Sequence, residues 1–324
     1  MSSSEEWRKR EKELGTIFVN TSKHVVITFS GGKDSTALTL LTIRSAILLP
    51  KQLRPERISI IYTDTQVDPL PLTNTVNKSF KIFKKLGKEL GLNIHTELLS
   101  PPLKDNFWIL LIGKGYPPPS FNFRWCTERL KIKPIKAFLR EIQTTEGYLP
   151  LLLTGVRMKE SSNRHRTLAK KIENGKWIKF AGLKECWMYA PLLYSNAGDV
   201  WGYIEKNERF FGIDFSHLRY LYSFSPDGCN TYRTGCWVCT VVKQDRSLEM
   251  LAKQDPKLAL FAEFRRFLRK IRDDKSLREM RRNNVGKIYR GPLKMEVRKK
   301  ILKKLEEFYC LPQEVKMEIW KFWR

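Results

Sequence analysis

The sequence predicts an α/β fold: a mostly parallel sheet with helices on both faces, followed by a helical, cysteine-bearing C-terminal region. Three observations predict it. Four short β-branched or aliphatic runs alternate with segments of helical periodicity. A glycine-rich loop stands where the first run gives way to the helical segment after it. Beyond residue 240 the apolar residues recur at helical spacing, and three cysteines fall within the eleven residues 229–239 just before.

The elements follow in order. MSSSEEWRKREKELG has no apolar signal core and reads as a polar helix leading into the domain, which points to a cytoplasmic protein. HVVITFS (24–30) reads as a buried strand and TALTLLTIRSAILL as the helix after it. RISIIYTD (57–64) is a second strand and 72–90 an amphipathic, lysine-faced helix. GLNIHTELL gives a third strand after a glycine stop, and YLPLLLTGV (148–156) a fourth. Between them lie the turn-rich GKGYPPPS and the helix-leaning FRWCTERLKIKPIKAFLRE. RMKESSNRHRTLAKK is polar and aperiodic, a loop. NAGDVWGYIEKN starts a helix with Asp199 near its N-terminus, and 258–271 and 293–309 carry helical periodicity in the C-terminal region. No run of 18 apolar residues occurs, so no membrane span is expected.

Sixty Lys and Arg against 34 Asp and Glu give a formal charge of +26. Ion-pair networks need balanced signs; this surplus instead suits a polyanionic partner, because neutralising phosphates releases counterions. Residues 241–324 carry 24 basic and 12 acidic side chains, against 36 and 22 in the preceding 240 residues, so the charge density is highest at the C-terminal end. The basic stretch includes Arg278, Arg281, Arg282, Lys287, Arg290, Lys294 and Arg298, which are expected to form a basic helical face for nucleic acid.

SGGKDS, residues 30–35, follows the first strand and opens the first helix. Gly31 and Gly32 let successive N–H groups converge on an anion, and the helix N-terminus adds unpaired donors. Lys33 supplies charge, Asp34 a contact to metal or ribose, and Ser30 and Ser35 hydroxyls. The spacing is not GxxxxGK[ST], which argues against ordinary nucleotide triphosphate hydrolysis. Asp64 ends the second strand, where parallel sheets place ligand contacts.

The six cysteines are Cys126, Cys186, Cys229, Cys236, Cys239 and Cys310. Cys229, Cys236 and Cys239 are spaced C-x6-C-x2-C. The pair in TGCWVC follows a loop, not the strand-to-helix turn of a redox dithiol. Zinc and iron–sulfur mounts both remain open, since both use four cysteines and no second CxxC or CxxH is present. Cys126 is the leading candidate for a fourth ligand; the one-plus-three arrangement suits a cubane better than a zinc ribbon. Cys186 and Cys310 read as plain buried thiols.

Together, SGGKDS, RWCTERLKIKP, TGVRMKESSNR and GDVWGYI resemble the phosphoadenosine phosphosulfate (PAPS) reductase-like branch of the pyrophosphate-loop ATP pyrophosphatases. GCWVCTVVKQDRS and YRGPLKMEVRKKIL are similar to the DndC-type proteins of DNA phosphorothioation. The resemblance implies an adenine nucleotide alpha hydrolase-like domain over 1–222 and an iron–sulfur-binding, basic helical region over 223–324. It implies a 4Fe-4S cluster on Cys126, Cys229, Cys236 and Cys239. ATP and Mg²⁺ would be held by residues 30–35 with Asp64 and Glu160, and Lys33, Asp34, Arg157 and Arg164 would serve catalysis. The late ECGxH-type segment of true PAPS reductases is absent, which argues against sulfonucleotide reduction.

The implied activity is adenylation of a DNA backbone phosphate with pyrophosphate release, preparing it for sulfur insertion. A cysteine desulfurase and sibling modification proteins would be partners. Three other readings stand beside it: an iron–sulfur tRNA thiolase, a PAPS reductase-like sulfonucleotide enzyme, and a non-catalytic DNA-binding subunit that senses ATP.

Overall fold

Alternating burial along His24–Thr28 (β1) explains the centre of the fold. Val25 and Ile27 face one apolar cluster while Val26, also fully buried, faces the other way. Arg57–Thr63 (β2) and Leu151–Thr154 (β4) repeat the pattern, with Ile58 and Ile60, Leu151 and Leu153 on the first face and Ile61 and Leu152 on the second. Strands buried on both faces need helices on both.

A computed structural model describes residues 3–21, 23–160, 162–222, 235–253 and 255–323. Ile94–Leu99 (β3), Ile172–Asn174 (β5), Trp177–Lys179 (β6) and Trp187–Tyr189 (β7) complete a seven-stranded sheet of order β3-β2-β1-β4-β7-β6-β5. Its first five strands are parallel; β6 and β5 join antiparallel at one edge. This is the mostly parallel sheet that the sequence predicts. The edge strands are too short, at three residues each, to show periodicity in the sequence.

On the first face, Trp7, Leu14 and Phe18 of helix Ser3–Asn20 pack with Leu38 and Leu41 of helix Lys33–Ile47 and with Val200 and Ile204 of helix Ala197–Phe211. Asn196 caps that last helix, accepting from the Asp199 N–H at 2.8 Å, while Asp199 accepts from the Asn196 N–H at 3.2 Å. The expected helix start at Asp199 is thus a capping box. Residues 157–171, expected to be a loop, instead hold a turn at Met158–Glu160 and helix Ser162–Ala169. One apolar side chain suffices to seat it: Leu168 packs with Ile178, Ala190 and Leu193.

The chain forms two compact units. The first spans 1–63, 70–99 and 135–222; the second takes 64–69, 100–134 and 223–324. Besides 223–324, the second unit includes two earlier segments, 64–69 and 100–134. Their apolar content is the reason. Phe107–Ile112, FWILLI, is almost wholly buried and joins Trp237, Phe264, Leu268 and Ile301 in that unit's own core.

Helices Arg246–Ala252, Pro256–Asp273, Met295–Glu306 and Gln313–Lys321 bear out the helical C-terminal region. The basic stretch inside it departs from that expectation. Arg278–Arg282 (β8) and Ile288–Leu293 (β9) form an antiparallel hairpin, closed by a turn in which Gly286 has φ +78°. The Asn283 side chain accepts from the N–H groups of Val285 and Lys287, holding the turn. Among the described residues no helix is long and apolar enough to cross a membrane.

Candidate functional site

The loop at residues 30–35 leaves β1 and enters helix Lys33–Ile47. Gly31 has φ +70°, and a Cβ there would stand 2.7 Å from Val76 Cγ2 and 2.8 Å from Leu72 Cδ1. Both the backbone conformation and the space therefore require glycine. Gly155, just past β4, lies against the loop's other side: a Cβ would be 3.0 Å from the Asp34 carbonyl oxygen. Hydroxyls brace the turn, with Ser35 Oγ donating to the Gly32 carbonyl at 2.9 Å and accepting from the Ser30 N–H at 3.1 Å.

Lys33 is buried. Its N–H donates to the Tyr222 hydroxyl at 3.0 Å, and its ammonium lies 5.0 Å from the Tyr222 ring centroid and 3.5 Å from Asp34 Oδ2. Burial lowers its pKa, while Asp34 opposes that shift. Arg157, 3% exposed, donates from Nε to Asp34 Oδ1 at 2.7 Å, from Nη2 to Asp34 Oδ2 at 3.4 Å, and from Nη1 to the Ser195 carbonyl at 3.3 Å. The segment after β4 is thereby joined to the loop, with the Arg157 guanidinium committed to the Asp34 carboxylate and the Ser195 carbonyl. Glu160 is exposed and within electrostatic reach of Lys33. The Arg164 side chain lies outside the described residues.

In the second unit, the loop 64–69 holds the cysteine turn. Asp68 Oδ1 accepts from Cys236 Sγ at 3.2 Å, Thr65 Oγ1 lies 3.5 Å from the same sulfur, and the Val67 carbonyl accepts from the Trp237 N–H at 3.1 Å. Asp64 accepts from the Gln66 N–H at 2.8 Å; burial, aided by Asp68, raises its pKa. Gln66 itself has φ +61°, a left-handed conformation rare outside glycine. The Cys239 N–H donates to the Cys236 carbonyl at 2.9 Å, so these two cysteines share one tight turn.

Burial raises the thiol pKa of Cys126, on the single turn Trp125–Thr127, and the nearby Cys239 raises it further. Burial pushes the Cys236 thiol up to about 12. Behind the turn, helix Pro256–Asp273 presents arginines to its carbonyls. Arg265, 2% exposed, donates to the Cys239 and Val242 oxygens, both at 2.7 Å; Arg269 donates to Lys243 and Arg272 to Thr240. The sequence gives no sign of this clamp, because its acceptors are backbone atoms. Cys229 lies outside the described residues. Cys186 is a buried thiol, as expected, but Cys310 is exposed.

The model of the phosphoadenosine phosphosulfate reductase domain family matches residues 24–242, more than half of the chain. The chain belongs to that family. Two relatives from Methanocaldococcus jannaschii are similar to it. The uncharacterized protein MJ0066 is 25% identical over 245 residues, 76% of this chain and 42% of that protein. The uncharacterized protein MJ0973 is 25% identical over 222 residues, 68% and 41% respectively. The chain thus spans about two fifths of the length of these relatives. Among solved structures, it is similar to the U34-tRNA thiolase NcsA from Methanococcus maripaludis with its 4Fe-4S cluster. That match has TM-score 0.41 and 18% identity, covering 82% of this chain and 79% of that one. NMN synthetase from Francisella tularensis matches with TM-score 0.35 and 13% identity, covering 83% and 96%.

In this PAPS reductase-family chain the donors suit the implied groups by type. Asp34 and Glu160 are oxygen donors of the kind Mg²⁺ takes, and Asp34 keeps 20% of its side chain exposed beside Arg157. Among the described residues no three His, Cys, Asp or Glu side chains gather closely enough for a single metal ion. A cubane binds each thiolate on a separate iron, so its ligands need not converge on one point. Cys126, Cys236 and Cys239, with the Arg265 clamp behind them, suit that larger anionic group.

The basic residues expected to bind nucleic acid divide into two sets. Arg298 is buried: its Nε donates to the Leu293 carbonyl at 2.8 Å and its Nη1 to Gly113 at 2.9 Å. That corrects its expected role, since both bonds serve the fold. Arg278 donates to the carbonyls of Arg290 and Gly291, and Arg281 pairs with Glu279 at 2.9 Å. Arg282, Lys287, Arg290 and Lys294 are exposed.

Proposed function

We propose that this chain activates a nucleic-acid acceptor by adenylation with ATP, and that the acceptor is a DNA backbone phosphate destined for sulfur insertion. The observation that carries the adenylation is the loop of residues 30–35, with left-handed Gly31 and buried Lys33 and with Asp34 fixed by Arg157. The C-terminal charge and the cysteines of the second unit support the nucleic acid and the sulfur chemistry.

The loop binds the triphosphate through its backbone donors and the helix N-terminus. An anion there competes with the Tyr222 hydroxyl for the Lys33 N–H. Lys33, held between Tyr222 and Asp34, offers a fixed positive charge that needs no reorganisation as charge develops. Arg157 orients the Asp34 carboxylate. A non-bridging oxygen of the DNA phosphodiester attacks the α-phosphorus, its bond to the β-phosphate breaks, and pyrophosphate leaves. A sulfur nucleophile, a persulfide from a cysteine desulfurase, then displaces AMP from the activated backbone phosphorus, and a second thiol attacks the S–S bond of that adduct, forming a disulfide with the carrier cysteine and freeing the phosphorothioate. Mg²⁺, when bound, neutralises phosphate charge. A 4Fe-4S cluster, when bound, supplies a redox-active, sulfur-bearing centre. The chain's own part would be to seat it: Cys126, Cys229, Cys236 and Cys239 would hold it, and Arg265 fixes the turn at Cys239.

The test is anaerobic. Purified protein is given ATP, with or without DNA, and pyrophosphate is measured; DNA co-expressed with the partner proteins is digested and searched for phosphorothioate dinucleotides by mass spectrometry. DNA-dependent pyrophosphate and sulfur-bearing dinucleotides are expected. Sulfur in tRNA nucleosides instead would move the assignment to a tRNA thiolase. No pyrophosphate with either nucleic acid would leave an ATP-sensing subunit.

A further inference from the structure

The hairpin β8–β9 is placed for more than phosphate neutralisation. Every residue from Met280 to Arg290 is exposed, among them Ile288 and Tyr289, with Tyr289 at 47%. A basic ribbon that also leaves Met280, Val285, Ile288 and Tyr289 in solvent is unusual for a structural hairpin, whose apolar side chains would be buried. Beside it lies an open cavity of about 620 Å³. Its wall combines cations from Arg281, Arg290 and Lys114 with the rings of Tyr116, Tyr289 and Phe322.

On the cationic side one carboxylate, Glu279, serves two guanidiniums, pairing with Arg281 at 2.9 Å and reaching Arg298 at 3.7 Å. The Arg281 stem lies flat over Gly291, where a Cβ would come within 2.9 Å of it. Arg278 is fastened to two hairpin carbonyls, and the neighbouring Arg290 charge, after burial, lowers its pKa. Adjacent guanidiniums that repel one another are held together by backbone bonds. Such an arrangement recovers its cost when an anion arrives. The aromatic side is equally accessible: Lys114 lies 5.2 Å from the Phe322 ring centroid, and Phe322 is 43% exposed.

Phosphate-binding cations next to exposed ring faces match an unpaired nucleotide, whose base can stack while its phosphate is neutralised. A base pair inside a duplex offers no face to a ring. We infer that this cavity takes an unpaired nucleotide of a nucleic-acid strand, with Tyr289 stacking on the base and Arg281 and Arg290 meeting the phosphates. The inference deepens the proposed function and rests on its nucleic-acid substrate. It implies that the strand is single or locally opened where the second unit grips it.

The test is binding by the full-length protein, apart from catalysis. Fluorescence anisotropy is measured with labelled single-stranded oligodeoxyadenylate, with oligoadenylate, and with a blunt DNA duplex. A single strand is expected to bind more tightly than the duplex, and the preferred sugar identifies DNA or RNA as the source. Tyr289→Ala should weaken single-strand binding about tenfold and duplex binding by less than about twofold, while Tyr289→Phe retains affinity. Arg290→Ala should weaken both and lower the salt slope by about one. Equal affinity for strand and duplex, no binding of either, or equal loss with Tyr289→Ala on both, overturns the inference. Thermal melting of each variant checks that the fold is kept. Single-strand binding without DNA-dependent pyrophosphate release would sink the proposed function and leave this site standing.

Discussion

Arg157 grips the Asp34 carboxylate with two nitrogens, Nε at 2.7 Å from Oδ1 and Nη2 at 3.4 Å from Oδ2, across 123 residues of sequence. The pair ties the turn after β4 to the start of the helix that opens the nucleotide loop. Removing Asp34 leaves the buried Arg157 charge without its carboxylate, and removing Arg157 leaves the partly buried Asp34 without that guanidinium. Asp34→Asn is expected to lower pyrophosphate release about 10²–10³-fold, because a preorganised charge in the loop is lost. Arg157→Ala should lower it by a similar factor and cost about 1–3 kcal/mol in urea denaturation. The double variant should fall far short of additivity. Additive losses would show that the two residues act separately.

Gly31 offers a paired comparison with Gly91. Both are left-handed, at φ +70° and +62°, but only Gly31 has neighbours within 4 Å of a built Cβ. Gly91→Ala should cost about 1–2 kcal/mol from backbone strain alone. Gly31→Ala meets Val76 and Leu72 as well, so its loss should be larger and be accompanied by weaker ATP binding. Urea midpoints and isothermal titration with ATP separate the two effects. Equal destabilisation with unchanged ATP affinity would contradict the geometry assigned to the loop.

His24 makes stability depend on pH. Its Nδ1 lies 2.9 Å from Glu146 and its Nε2 2.9 Å from Ser59. Burial lowers its pKa below the ordinary 6.5, outweighing the Glu146 carboxylate, while Arg57 and His95 push the same way as burial. The unfolded chain then binds the proton more readily than the native one, so stability falls as pH drops below the ordinary histidine value. His217, lowered by burial and by Lys78, acts in the same direction. Urea midpoints measured between neutral pH and mild acid should decline for the wild type and decline less for His24→Gln. An equal slope in both would assign the acid sensitivity elsewhere.

These relationships differ in how far the sequence revealed them. Strands β1, β2 and β4 are legible because each is a buried run closed by a turn residue, half-buried β3 because it follows a glycine stop, and the nucleotide loop because its glycines and serines occupy fixed offsets. The hairpin was not. Arg278–Leu293 has no alternating apolar face, since most of it meets solvent. Its strands are held by backbone pairing and by Asn283, neither of which leaves a period in the sequence. The partnership of Cys236 with Asp68 was equally hidden, because the contact spans 168 residues and involves a loop without periodicity. FWILLI escapes the strand–helix reading altogether, because nothing local in an apolar run says that it serves a second core.

Arg265 should govern the cysteine turn. It is buried and donates to two carbonyls, those of Cys239 and Val242. Arg265→Met keeps the volume but leaves both oxygens unsatisfied, and should lower the iron content of anaerobically purified protein along with its stability by about 1–3 kcal/mol. Cys126→Ser, Cys236→Ser and Cys239→Ser should each remove iron, whereas Cys186→Ser and Cys310→Ser should keep it. Iron analysis and the visible spectrum read both outcomes. Zinc in place of iron, or iron retained by Cys126→Ser, would overturn the proposed ligand set.

Arg298 and Arg290 make opposite predictions from similar sequence positions. Arg298 fills the space that Gly115 leaves open: a Cβ on Gly115, which has φ +71°, would stand 2.4 Å from Arg298 Nε. Its bonds to Leu293 and Gly113 lock the base of the hairpin to the turn-rich segment after FWILLI. Arg298→Ala should therefore cost about 1–3 kcal/mol, since two buried carbonyls lose their donor. Arg290 is exposed, so its truncation should change stability by less than about 0.5 kcal/mol while weakening oligonucleotide binding. Comparing urea midpoints with binding anisotropy for the two variants tests the division. If Arg298→Ala weakened binding at unchanged stability, the buried arginine would belong to the nucleic-acid surface after all, and the charge there would have to be reassigned.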